Sequence, residues 1–112
     1  MRKIVETPVI FLEGEANAIA VPAIKNEADE LLSTGEKNLI IDVSKACYVD
    51  GNCLNLLESI YQKCTENGGN MTIVCTDNPR VRQVFELTRL DEKIGVHASI
   101  KNARVVVETI GR

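Results

Sequence analysis

The sequence contains no tryptophan, only two phenylalanines and two tyrosines, a single histidine and three prolines. So few aromatic rings leave little to stack on nucleobases. The net charge of -3 lacks the clustered lysine and arginine from which nucleic-acid affinity mainly comes, so a nucleic-acid partner is not expected. Apolar runs stop at three or four residues, as at Leu39 to Ile41 and Val105 to Val107, far below the ~20 that span a bilayer, and direct membrane insertion is not expected. The opening Met1-Arg2-Lys3-Ile4-Val5-Glu6 meets an acid and then Pro8 before any secretory apolar stretch could form, which points to the cytoplasm. Cys47, Cys53, Cys64 and Cys75 contain no Cys-x-x-Cys pair, and His97 alone could complete a zinc site, so neither metal nor other cofactor is expected. No Gly-x-x-x-x-Gly-Lys-Ser/Thr or Gly-x-Gly-x-x-Gly loop is present, and no nucleophile is marked out for His97, which disfavours nucleotide and triad enzymes.

What is present describes an ordinary folded unit. A chain of 112 residues, 45% hydrophobic and 26% charged, has the size and composition of one domain, residues 1–112. The cysteines lie among apolar or strand-forming residues and are expected as buried, reduced thiols. Acid is concentrated early: Glu13, Glu15, Glu27, Asp29, Glu30 and Glu36 share residues 13–36 with one base, Lys25. A solvated helix face explains this, and a surface steering toward a basic partner is the alternative.

Strand and helix patterns alternate. Lys3 to Thr7 and Val9 to Leu12 read as two short strands or one kinked strand, since Pro8 interrupts the ladder. Ile24, Ala28, Leu31 and Leu32 recur at helical spacing between Ala20 and Ser33, with Pro22 in the first turn and Gly35 as the stop. Asn38 to Val43 is nearly continuous in apolar residues, as for a strand covered on both faces. Leu54, Leu57, Ile60, Tyr61 and Cys64 line a second helix ending at Gly68-Gly69, and Met71 to Cys75 gives another buried strand. Asn78-Pro79 opens a third helix with Val81, Val84, Phe85 and Thr88 inward. Val96 marks a last short strand, and Ser99 caps a closing helix with Ala103, Val106, Val107 and Ile110 inward. The fold class is α/β, with a mixed, mostly parallel sheet of four to five strands and about four helices.

Asp42 and Asp50 fall near strand ends, where open α/β sheets place ligands, although turn formation and helix capping also account for them. The segment Tyr48-Val49-Asp50-Gly51-Asn52-Cys53-Leu54 joins a short strand to the second helix, with Asp50 or Asn52 as cap and Gly51 permitting a tight turn. With Ile40-Ile41-Asp42-Val43-Ser44 before it, it resembles the STAS domain, the fold of bacterial anti-sigma-factor antagonists. The resemblance runs from Val9 to Ile110. Gly14-Glu15-Ala16-Asn17 is similar to the family's Gly-Glu-Leu-Asp, Asn67-Gly68-Gly69-Asn70-Met71 to its Gly-Gly-Lys-Leu, and Leu87-Thr88-Arg89-Leu90-Asp91 to its Leu-Thr-Gly-Leu-Asp.

The resemblance implies a non-enzymatic regulatory domain that switches partners. The unphosphorylated antagonist binds an anti-sigma factor, a kinase-like regulator, until that partner phosphorylates the first serine of an Asp-Ser-Ser-Gly turn. Here Asp50 is kept, but Gly51, Asn52 and Cys53 replace Ser-Ser-Gly, so no phosphorylation is expected at the usual position. Ser44 and Ser59 are the neighbouring hydroxyls. The implied partner-binding residues are Asp50, Gly51, Asn52, Cys53, Leu54 and Asn55, with Glu15 and Asn17 in the neighbouring loop. Other readings are an accessory domain of a transporter or stress-sensing assembly, and a small thiol enzyme or redox switch using Cys53, whose thiolate a helix N-terminus would stabilise.

Overall fold

The computed structural model describes residues 7–101 and 103. Strand β1 (Val9–Phe11) starts directly after Pro8, which bounds the ladder. The expected strand at Lys3 to Thr7 lies almost wholly outside the described residues. The remaining elements are β2 (Gly14–Ala16), α1 (Val21–Ser33), β3 (Asn38–Asp42), β4 (Ala46–Val49), α2 (Gly51–Glu66), β5 (Asn70–Val74), α3 (Pro79–Leu87), α4 (Leu90–Lys93) and β6 (Val96–His97).

The four-stranded sheet has the order β1-β3-β5-β6, and every described ladder is parallel. Strands β3 and β5, the continuous apolar runs, occupy its centre, with Leu39, Ile40, Ile41, Met71, Ile73 and Val74 essentially removed from solvent. The other two strands, β2 and β4, form a separate parallel two-stranded ribbon. Alternation along the strands divides the interior. Leu39, Ile41, Met71 and Ile73 join Leu57, Ile60 and Phe85 in the larger core, while Ile40 and Val74 meet Ala103 on the opposite face.

Helix α1 buries Ile24 and Ala28 and ends at Gly35, whose φ of +102° carries the chain out of the helix. Helix α2 ends similarly at Gly68 (φ +81°): its N–H donates to Thr65 O at 3.1 Å, and Gly69 N–H reaches back to Cys64 O at 2.8 Å. Gly69 is also required by space, since a Cβ there would lie 1.8 Å from the Lys37 carbonyl oxygen. The buried positions of α2 are Cys53, Leu56, Leu57, Ile60 and Cys64, with Leu54 and Tyr61 only half-buried. The inner face is thus rotated toward Leu56 relative to the sequence expectation.

Asn78 caps α3 by accepting from Val81 N at 3.4 Å, and its amide donates to the Ser44 and Ala46 carbonyls at 3.0 and 2.9 Å. Val81 and Phe85 fill the interior, but Thr88 does not. Thr88 is exposed, and its hydroxyl donates to Val84 O at 2.7 Å, a carbonyl that also accepts from Thr88 N at 3.1 Å, the back-bonding to the preceding turn that threonine makes in helices. Arg89 comes next in the left-handed conformation (φ +60°, ψ +19°) and turns the chain into α4. The expectation of four buried thiols holds for Cys53, Cys64 and Cys75, whereas Cys47 is exposed on β4. The closing helix begins with Ile100 and Lys101, and Ala103 is buried. Val106, Val107 and Ile110 lie outside the described residues.

Candidate functional site

The candidate site is assembled where the β2–β4 ribbon meets the start of α2. The ribbon aligns Glu15 with Tyr48 and Ala16 with Val49, after a register shift between Gly14 and Glu15. Gly14 permits the local turn through its φ of +68°. One residue beyond the ribbon, Asp50 N–H donates to Ala16 O at 3.0 Å, so the chain entering α2 is fixed to the end of β2. Asp50 is extended (φ -92°, ψ 176°), and its Oδ1 accepts from Cys53 N at 3.0 Å. It is therefore the N-cap, satisfying one of the free N–H groups of the first turn.

The residues above this cap divide into two sets. Gly51, Asn52 and Asn55 are exposed, while Leu54 is half-buried. Gly51 is the first helical residue, and a Cβ placed on it would meet nothing within 4 Å. Cys53, by contrast, is 0% exposed and packs in the main core. It presents no surface to a partner, which corrects the expectation that placed it among contact residues. Its thiol is pushed up to about 11 by burial and, secondarily, by the Asp50 carboxylate. Desolvation outweighs the helix end, so the activated thiolate required by a Cys53 enzyme or redox switch is not favoured.

Asn17 organises the adjoining turn. Its Oδ1 accepts from Ile19 N at 3.0 Å, and its Nδ2 donates across to Tyr48 Oη at 3.2 Å. The turn leaves Ile19 88% exposed, and Tyr48, whose hydroxyl accepts from Asn17, is 41% exposed. Sequence reasoning marks neither residue as a contact. A signal exists for Ile19, which falls before the buried Ile24 and Ala28 positions of α1, but Tyr48 requires knowledge of the ribbon pairing. The result is a surface with two exposed apolar groups (Ile19, Tyr48), exposed amides (Asn52, Asn55) and the carboxylate of Glu15.

Asp42 is a turn former: its Oδ1 accepts from Ser44 N at 2.9 Å. The Ser44 hydroxyl accepts from Thr76 N at 2.8 Å, and Ser59 is exposed on α2. On α1, Asp29 accepts from Lys25 at 2.8 Å and Lys63 at 3.1 Å, and these two hydrogen bonds hold its pKa below the ordinary carboxylate value. Among the described residues no helix is long and apolar enough to cross a membrane.

The family model of the STAS domain matches residues 1–103, and the chain belongs to that family. Solved structures share its architecture. An anti-sigma factor antagonist from Mycobacterium paratuberculosis is 20% identical, with a TM-score of 0.81 and 95% of this chain and 90% of that chain covered. A Thermotoga maritima candidate anti-sigma factor antagonist is 25% identical, with a TM-score of 0.83 and coverages of 95% and 92%. The STAS domain of a SulP transporter from Vibrio cholerae is 19% identical, with a TM-score of 0.70 and coverages of 96% and 85%. The comparison with curated proteins returns no match.

Proposed function

We propose that this STAS domain is a non-catalytic regulatory module that docks an anti-sigma factor or another kinase-like regulator through the start of α2 and the adjoining ribbon. Asp50 sets the helix start, Gly51, Asn52 and Asn55 offer polar backbone and amide contacts, and Glu15 and Asn17 extend the contact along the ribbon. The observation that carries this reading is the exposure of Gly51 at the first position of a capped helix whose entry is tied to the ribbon by the Asp50 N–H to Ala16 O hydrogen bond, with Ile19 and Tyr48 exposed on the adjoining turn and ribbon. Apolar and aromatic groups embedded in a polar rim are the ordinary composition of a protein interface.

Gly51 carries no hydroxyl, so this module is not released by phosphate at that position. In a family member with serine there, a phosphate of about -1.5 to -2 charge beside a carboxylate would weaken docking by repulsion and desolvation. The open space around Gly51 makes Gly51→Ser the direct test. The kinase-like regulator is incubated with ATP and either protein, and phosphate and complex are followed by mass spectrometry and calorimetry. The expected result is a complex that survives ATP with the natural sequence and dissociates as Gly51→Ser becomes phosphorylated. Stoichiometric phosphate within residues 44–59 of the natural protein would refute the proposal. Recovery of a transporter instead of a kinase-like regulator in a pull-down would replace the partner with the accessory-domain reading.

A further inference from the structure

A second feature, separate from the start of α2, lies between the β1–β2 connection and α1. Phe11 is 57% exposed although it ends a sheet strand. Together with Ala20, Ala23 and Ile24 it lines an open groove of about 200 Å³. That volume is below the ~300 Å³ at which small-molecule sites begin, and it suits one inserted side chain. Three carboxylates also line the groove: Glu13, Glu15 and Glu27. Among the described residues none of them forms an ion pair; the observed pairs are Lys25 and Lys63 with Asp29, and Lys93 with Glu58. Lys45, which lines a smaller hollow together with Phe11 and Glu13, is likewise not paired with Glu13.

An apolar floor, an exposed aromatic ring and unpaired carboxylates at the rim describe one kind of visitor. It has an apolar stem, a cationic head and a flat face. Lysine supplies the first two, whereas arginine supplies all three, and its guanidinium both stacks on rings and forks to carboxylates. We propose that this groove receives an arginine side chain of a protein partner. The stem lies along Ile24 and the alanines, the guanidinium stacks on Phe11, and Glu13 and Glu27 accept its hydrogen bonds. Glu15 belongs both to this rim and to the ribbon, so a partner seated at the start of α2 has a continuous path to the groove. The groove itself uses no residue of α2.

The test is an NMR titration of the full chain with acetyl-Gly-Arg-Gly-amide and with its citrulline and lysine counterparts, following Phe11, Ala23 and Ile24. Citrulline keeps the shape of arginine and removes the charge. The expected result is saturable shifts with the arginine peptide, at a midpoint at least tenfold below that of the citrulline peptide and severalfold below that of the lysine peptide. The midpoint rises with salt, as an exposed charge pair requires. In Glu13→Gln/Glu27→Gln, two exposed positions that leave the core intact, the arginine midpoint moves most of the way to the citrulline value, with Glu15 keeping the remainder of the preference. Equal midpoints for arginine and citrulline, an arginine titration unchanged in the double variant, or no saturable shift would overturn the proposal. Equal midpoints for arginine and lysine would overturn the stacking on Phe11. Gly51→Ser leaves the titration unchanged, so the groove stands or fails independently of the α2 surface.

Discussion

Arg89 holds a φ of +60°, which L-residues other than asparagine and aspartate seldom adopt. It is the N-cap of α4, its N–H donates to Glu86 O at 3.2 Å, and its side chain is exposed. The family pattern Leu-Thr-Gly-Leu-Asp, which Leu87 to Asp91 resembles, has glycine at this place, and the left-handed backbone supplies the reason. Left-handed geometry disfavours a side chain by roughly 1–2 kcal/mol because Cβ crowds the following carbonyl. Replacing Arg89 by glycine removes that strain and adds unfolded-state freedom worth about 0.4–1 kcal/mol in the opposite direction. The difference is a net gain of about 0.5–1 kcal/mol, which for a domain of this size raises Tm by about 2–5 °C. Arg89→Ala is the control, because it removes the same exposed side chain and keeps Cβ, so it should remain within about 0.5 kcal/mol of the natural protein. Thermal and urea unfolding followed by circular dichroism measure all three. An Arg89→Gly protein no more stable than Arg89→Ala would refute the strain argument.

The caps, the close approaches and the thiols carry further expectations. Asp50→Ala removes the bond to Cys53 N and should lower stability by about 1 kcal/mol in urea unfolding, while Asp50→Asn retains most of it. Gly69→Ala drives a methyl group into the Lys37 carbonyl and should destabilise by several kcal/mol or prevent folding, whereas Gly51→Ala, in open space, should be neutral or slightly stabilising by the same assay. Thiol titration of the native protein should find one fast cysteine, Cys47, and four after unfolding. Burial raises Cys53 and Cys64 from 9.0 to about 11, so in that range the unfolded chain has released protons that the folded chain retains. Stability from these thiols is fully present below about pH 9 and declines as pH rises toward 11. Cys64→Ala should flatten that decline in denaturation curves measured between pH 8 and pH 11, and an unchanged slope would count against it.

Local patterns make much of the scaffold legible. Pro22 and Gly35 bracket α1, Gly68-Gly69 ends α2, and Leu39-Ile40-Ile41 forms a central strand, because each depends on the conformation or periodicity of neighbouring residues. The β2–β4 ribbon is not legible in the same way. Gly14-Glu15-Ala16 has no strand signature of its own and becomes a strand by pairing with residues about thirty positions later. The features that depend on this ribbon are hidden with it: the exposure of Cys47 and Tyr48, the neighbouring Ile19 and the placement of Glu15. At the candidate site, residue type and position mark Asp50 as a cap. They do not separate exposed Asn52 from buried Cys53, since both lie in the first turn and only the tertiary packing around α2 distinguishes them.

The hydrogen bond from Asp50 to Ala16 joins two stretches of chain that are distant in sequence. A growing polypeptide that has produced Ile19 and Asn17 has only half of this surface, and an unfolded one has none of it. A molecule that grips both halves therefore recognises completed folding as well as chemical identity. Its binding withdraws the native form from the unfolding equilibrium, so the domain is more resistant to heat and proteolysis when occupied than when alone.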